Sequence, residues 1–206
     1  MRQIVNVKQI DHWFGSTSRD AQELLPHLVR KLIARTVDPK HLIAMKIPVG
    51  DQVNLPGYDG TVVTTARYLY VPEEQSVWEM GTGDPKQKAD AVYKSRSEHP
   101  RGVDPATTTF VFLTPHIFWQ KDEWLREKKA EGPWKDVIVI DVVDLDNWLE
   151  QKFGVARWLA REMGVPVEGI RDLEGFKKEE LDARYGVNIS PQLIIAGRDE
   201  AVSELH

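Results

Sequence analysis

Between Asp20 and Arg35 the apolar residues Leu24, Leu25, Leu28, Val29, Leu32 and Ile33 recur at a spacing that paints one stripe along a helix. Asp20 and Glu23 stand three apart at its start, as an N-cap and its reciprocating acid do, with Pro26 in the first turns. A strand-like run, His41 to Val49, follows. Gly57-Tyr58-Asp59-Gly60 then turns into the β-branched Thr61 to Thr65. Ser76 to Met80 is a short strand closed by Gly81-Thr82-Gly83, and Asp84 or Pro85 opens a helix through Ala91, Val92 and Tyr93. Thr107 to Thr114 and Asp136 to Val143 are near-continuous apolar runs of the kind buried on both faces, and polar, helical Trp119 to Glu131 lies between them. Strand, helix and strand at this spacing predict a parallel crossover. From Leu145 the residues Trp148, Leu149, Phe153, Trp158, Leu159 and Met163 form a helical stripe broken near Gly154, after which turn signals and short helices alternate with no sheet in view.

The fold class expected is therefore α/β, with a central mixed β-sheet flanked by helices and a helical C-terminal extension. A length of 206 residues suits one domain with an appendage, placed at 1–150 and 151–206. With 41% hydrophobic and 29% charged residues, and no apolar run of bilayer length, the composition is that of a soluble globular protein without a membrane partner. The opening Met1 to Asn6 lacks the basic flank and apolar core of a signal peptide, so the expected location is the cytoplasm. Zero cysteines exclude disulfides, thiolate metal sites and thiol nucleophiles. A net charge of −5 argues against indiscriminate nucleic-acid binding, although Lys86, Lys88, Lys94, Arg96 and Arg101 cluster locally.

Candidate chemistry centres on Asp59, on the hairpin, and Glu79, on the next strand. Asp59 alone fits a turn aspartate bonded to its own backbone. Glu79 interrupts an apolar strand directly after Trp78, and buried carboxylates are rare unless paired or metal-bound. Two acids from neighbouring strands make an oxygen-rich site for a hard divalent cation. Glu23 is a third candidate, equally explained as a capping acid, and Lys86 and Lys88 are candidates for the activating cation, equally explained as exposed helix lysines. The six histidines lack paired metal spacing, and no phosphate-binding glycine loop or nucleophile elbow occurs. The seven tryptophans, Trp119, Trp124 and Trp134 included, are expected to pack in the core rather than to stack on bases.

Over roughly residues 15 to 150 these residues resemble the PD-(D/E)XK nuclease superfamily and, within it, the Mrr-like restriction endonucleases. Gly57-Tyr58-Asp59-Gly60, Val71-Pro72-Glu73, Val77-Trp78-Glu79-Met80-Gly81-Thr82 and Asp84-Pro85 with Lys88-Ala89 and Tyr93 look like the nuclease effector domain at the N-terminus of bacterial antiviral STAND NTPases of the Avs type. The segment from Ser190 to Val202 is similar to the opening of their NTPase region. The resemblance implies a restriction-endonuclease-like mixed sheet, Mg²⁺ (with Mn²⁺ able to substitute) held by Asp59 and Glu79, and cleavage of double-stranded DNA. It also implies self-association through an NTPase that would follow this fragment. The family places a lysine two residues after the second acid, where Gly81 stands here, so that duty would pass to Lys88 or Lys86. The alternatives are a nucleic-acid-binding or protein-interaction module with a degenerate nuclease site, or an RNA substrate.

Overall fold

The structure, a computed structural model, describes residues 4–16, 18–49 and 57–167. Its elements run α1 (Val7–Ser16), α2 (Ser18–Thr36), β1 (Leu42–Lys46), β2 (Gly60–Thr64), β3 (Glu74–Met80), α3 (Pro85–Glu98), β4 (Thr109–Leu113), α4 (Lys121–Glu131), β5 (Asp136–Ile140), α5 (Val142–Glu150) and α6 (Phe153–Glu162). One five-stranded sheet has the order β1-β2-β3-β4-β5, antiparallel from β1 to β3 and parallel from β3 to β5. The expected α/β class with a mixed sheet is thus present, and both parallel steps cross over through a helix.

Strand alternation sorts the core. Val77, Phe110, Phe112, Val137 and Val139 form one buried cluster with Ala89 and Tyr93 of α3 and Trp124 of α4, joined by Trp134. Trp78, Val111, Leu113 and Ile140 have the opposite parity and are equally buried, so the sheet is covered on both faces. This explains why β4 and β5 read as unbroken apolar runs. Helices α1, α2, α5 and α6 pack on one another.

Four details depart from the sequence expectations. Helix α1 was hidden in the polar opening because only Ile10 and Phe14, four residues apart, are buried on it. Helix α2 begins at Ser18, so Asp20 lies in its first turn and is not the N-cap. Strand β5 stops at Ile140: Asp141 caps α5, accepting from the Val143 and Asp144 amides while the Asp144 carboxylate accepts from the Asp141 amide. Finally, one compact unit ends at Pro166 and takes in α6, beyond the expected boundary at residue 150. The remainder of the expected extension and the NTPase-like segment lie outside the described residues. No described helix is long and apolar enough to cross a membrane.

Asp141 also receives Lys121 Nζ at 3.4 Å. Replacing Asp141 by alanine is expected to lower stability by about 1–2 kcal/mol in urea unfolding, as loss of a capping side chain does. An unchanged midpoint would show that the cap is dispensable.

Candidate active site

Gly60 pairs with Trp78 across the antiparallel β2–β3 ladder, so continuing the register by one residue sets Asp59 opposite Glu79. Side chains directly opposite share a face, with Cβ atoms about 5 Å apart. Asp59 is fixed further by its Oδ2, which accepts the Met80 amide at 2.7 Å and leaves Oδ1 for another partner. Burial pushes the Asp59 carboxyl above the ordinary range, against the Met80 amide and the charges of Lys88 and Arg96.

Glu79 is 3% exposed and shares its side of β3 with Val77. Burial first, and the Asp59 charge second, push it from the ordinary 4.5 to about 7, against the hydrogen bond and charge of Arg96 and the charge of Lys88. Burial therefore raises both carboxyls despite the Lys88 and Arg96 charges nearby, and a cation bound between them would offset that penalty.

Helix α3 supplies the opposing charges. Asp84 caps it by accepting the Gln87 amide at 2.8 Å, and Pro85 fits its first turn, where no amide hydrogen is needed. Lys88 and Arg96, eight residues apart, fall on the same side of the helix. Arg96 Nε donates to Glu79 Oε1, its Nη2 donates to the Gly57 carbonyl, and its guanidinium lies 4.8 Å from the Tyr58 ring centroid. One arginine thus ties α3 to β3 and to the turn carrying Asp59. Sequence reading counted Arg96 only as part of a basic face; its eight-residue offset from Lys88 was the available signal.

Lys88 crosses the strand end. A Cβ placed on Gly81 would come within 2.5 Å of Lys88 Cγ, so the absence of a side chain at 81 is what lets the lysine stem pass. Lys88, Asp59, Met80, Gly81, Thr82 and Gly83 line a cleft of about 420 Å³ together with Gln22, Leu25 and Pro26 of α2. Proline at 26 removes the amide that would close the helical bond to the Gln22 carbonyl. The loop Gly81–Gly83 is held from behind by His116, whose Nε2 meets the Thr82 carbonyl at 2.9 Å and whose Nδ1 meets Asp11 Oδ1 at 2.7 Å.

The other two candidates lie elsewhere. Lys86 Nζ is 2.8 Å from Asp90 Oδ2 in an exposed pair one turn apart. Glu23 lines a separate cleft with Trp13, Asp20, Leu24, His27 and Glu162, whereas its neighbour Gln22 lines the first cleft with Leu25 and Pro26. The structure therefore joins Asp59, Glu79 and Lys88, and brings neither Glu23 nor Lys86 to them.

Among the described residues no group of three or more His, Cys, Asp or Glu gathers to bind a metal. Two carboxylates do fit Mg²⁺, which keeps several waters and takes one or two protein acids together with substrate phosphate oxygens. Asp59 and Glu79 are the pair that would hold it, each with one oxygen already engaged. No family model, curated protein or solved structure matches this chain.

Proposed function

We propose that the chain is a restriction-endonuclease-like, Mg²⁺-dependent endonuclease that hydrolyses phosphodiesters of double-stranded DNA, serving as the effector domain of an anti-phage STAND NTPase. Asp59 and Lys88, from a turn and a helix, line one cleft, and buried Glu79 stands opposite Asp59 within reach of both charges; this arrangement carries the reading. When bound, Mg²⁺ supplies Lewis-acid polarisation of the phosphate. Asp59, whose Oδ2 accepts from the Met80 amide, and Glu79, whose Oε1 accepts from Arg96, would hold it with their remaining carboxylate oxygens. Lys88 places an ammonium where negative charge builds on the attacked phosphate, and its position on a helix rather than on the strand is accommodated by Gly81.

The test is nicking of supercoiled plasmid at high protein concentration with Mg²⁺, Mn²⁺ or EDTA, since domains that act after assembly are dilute when isolated. Cutting is expected with either metal and not with EDTA, and Glu79→Ala is expected to abolish it. Equal cutting by that variant would sink the assignment.

The Arg96–Glu79 pair favours one second reading, a DNA-binding module whose site the arginine has permanently neutralised. It predicts DNA retention with neither cutting nor calorimetric uptake of Mn²⁺. Uptake of Mn²⁺ that requires Glu79 would exclude it.

A further inference from the structure

Helix α2 gives up one of its own hydrogen bonds where it faces the candidate cleft. An α-helical carbonyl accepts from the amide four residues on. Pro26 stands inside α2 and has no amide hydrogen, so the Gln22 carbonyl lacks that donor. Gln22, Leu25 and Pro26 all line the cleft, so the carbonyl directed from Gln22 towards Pro26 lies on the cleft side of the helix. Proline is the residue least suited to a helix interior, and a main-chain oxygen left unpaired against apolar neighbours adds to the cost.

The rest of the cleft says what would meet this oxygen. Leu25, Pro26 and Met80 make much of the lining apolar. Trp119, expected in the core with Trp124 and Trp134, is instead 82% exposed, and it is not a lining residue of this cleft. In the loop after β3 the Thr82 carbonyl is turned to His116. Asp59 also lines the cleft, with Oδ2 held by the Met80 amide. A carbonyl oxygen only accepts hydrogen bonds, and so does an ionised carboxylate. A ligand that satisfies both must carry donors and, beside Asp59 and Glu79, positive charge. A hydrated divalent cation is such a ligand, because Mg²⁺ keeps several of its waters and each turns its hydrogens outward.

We propose that the Gln22 main-chain carbonyl, released by Pro26, accepts a hydrogen bond from a water on the cation held by Asp59 and Glu79, and so positions that water shell. This rests on the metal-dependent reading and adds to it a neutral oxygen from α2, whose acid Glu23 is turned to another cleft.

Calorimetric titration of Mn²⁺ into metal-free wild type and Pro26→Ala tests this without turnover. Alanine at 26 restores the amide, which recaptures the carbonyl within the helix. Pro26→Ala is expected to bind Mn²⁺ about 10- to 100-fold more weakly, the loss typical of removing a group one shell out from a metal. Its thermal midpoint without metal should be unchanged or higher, because alanine suits a helix interior better than proline. In the Gln22→Ala background the same substitution should weaken Mn²⁺ binding by the same factor, since the main-chain oxygen is still there. The carbonyl can also be followed directly. Gln22-Glu23 is the sole Gln-Glu step in the chain, so cell-free protein with ¹³C-carbonyl glutamine and ¹⁵N-glutamate gives a single carbonyl–amide cross-peak. Its carbon resonance is expected to move as Mg²⁺ is added to wild type and to stay still in Glu79→Ala.

Equal Mn²⁺ affinities of Pro26→Ala and wild type, or a Gln22 carbonyl resonance that ignores Mg²⁺, would overturn the proposal. Mn²⁺ uptake that still requires Glu79 would then show that the metal-dependent reading stands without it. No loss on Pro26→Ala in the Gln22→Ala background would assign the effect to the carboxamide and overturn the main-chain role. A resonance that moves in Lys88→Ala and not with Mg²⁺ would give the carbonyl to the Lys88 ammonium instead. A lowered midpoint in Pro26→Ala would mark a disturbed α2, and the wild-type carbonyl resonance then decides alone. No Mn²⁺ uptake by wild type would remove both the proposal and the metal-dependent reading.

Discussion

Lys88→Ala is expected to lower plasmid nicking in Mg²⁺ by about 10²- to 10³-fold, the loss typical of removing one preorganised group that stabilises transition-state charge. Lys88 lies on the exposed part of α3, so thermal unfolding should be almost unchanged. The sharper form of the experiment uses Gly81. Its backbone is not in the left-handed region, so it accepts a side chain conformationally, yet a Cβ there collides with Lys88 Cγ and lies 3.4 Å from Phe112 Cε2. Gly81→Ala should therefore displace the lysine and lose most of the activity without unfolding the protein. In Gly81→Lys with Lys88→Ala, the stem that blocks position 81 is gone, and the new lysine stands two residues after Glu79, directed to the same side of the strand. That double variant is expected to cut at least tenfold faster than Lys88→Ala alone. Wild-type rates for Lys88→Ala, or no recovery in the double variant, would show that position 81 and Lys88 do not share one role.

Why some of this was legible in the sequence and some was not follows from range. The apolar runs of β4 and β5 announced themselves because burial on both faces removes alternation, and α2 did so because its stripe recurs turn after turn from Leu24 to Ile33. Asp59 and Glu79 were legible as a pair because a hairpin register is local. Glu23 failed for a reason of one residue: successive positions on a helix point about 100° apart, so Gln22 lines the cleft while Glu23 lines another. The end of β5 was missed because Val142 and Val143 continue its apolar run, although Asp141 turns the chain into a helix between them. Arg96 and Trp119 depend on packing alone. Seventeen residues separate Arg96 from Glu79, and only the folded path of α3 over the sheet joins them. Nothing in the order of residues marks Phe118 as buried and Trp119 as exposed.

Glu79 should make the protein less stable as the solution becomes less acidic, a second effect large enough to isolate. Its folded value of about 7 lies above the ordinary 4.5, so between these the unfolded chain releases the proton that the folded chain retains. Stability contributed by this group is therefore complete below about pH 4.5, falls as pH rises towards 7, and stays low above it. The span corresponds to roughly 3 kcal/mol, from about 1.4 kcal/mol per pH unit. Glutamine at 79 keeps an acceptor for Arg96 and cannot titrate. Urea unfolding of wild type and Glu79→Gln should coincide near pH 4.5 and diverge until the variant is the more stable by about 3 kcal/mol at pH 8. Parallel curves across that range would refute the coupling. Mn²⁺ at pH 8 should close the gap by stabilising wild type and not the variant, since a ligand that binds only the folded state adds stability in proportion to the logarithm of its occupancy ratio. Arg96→Met tests the other half of the pair: it leaves Glu79 buried without its partner, and breaking such a pair from one side costs about 3–5 kcal/mol. Most of that loss should vanish in the Glu79→Gln background, because an uncharged amide has far less to lose. Equal losses in both backgrounds would mean that Arg96 acts through Gly57 and Tyr58 alone and leaves Glu79 free to serve a cation unaided.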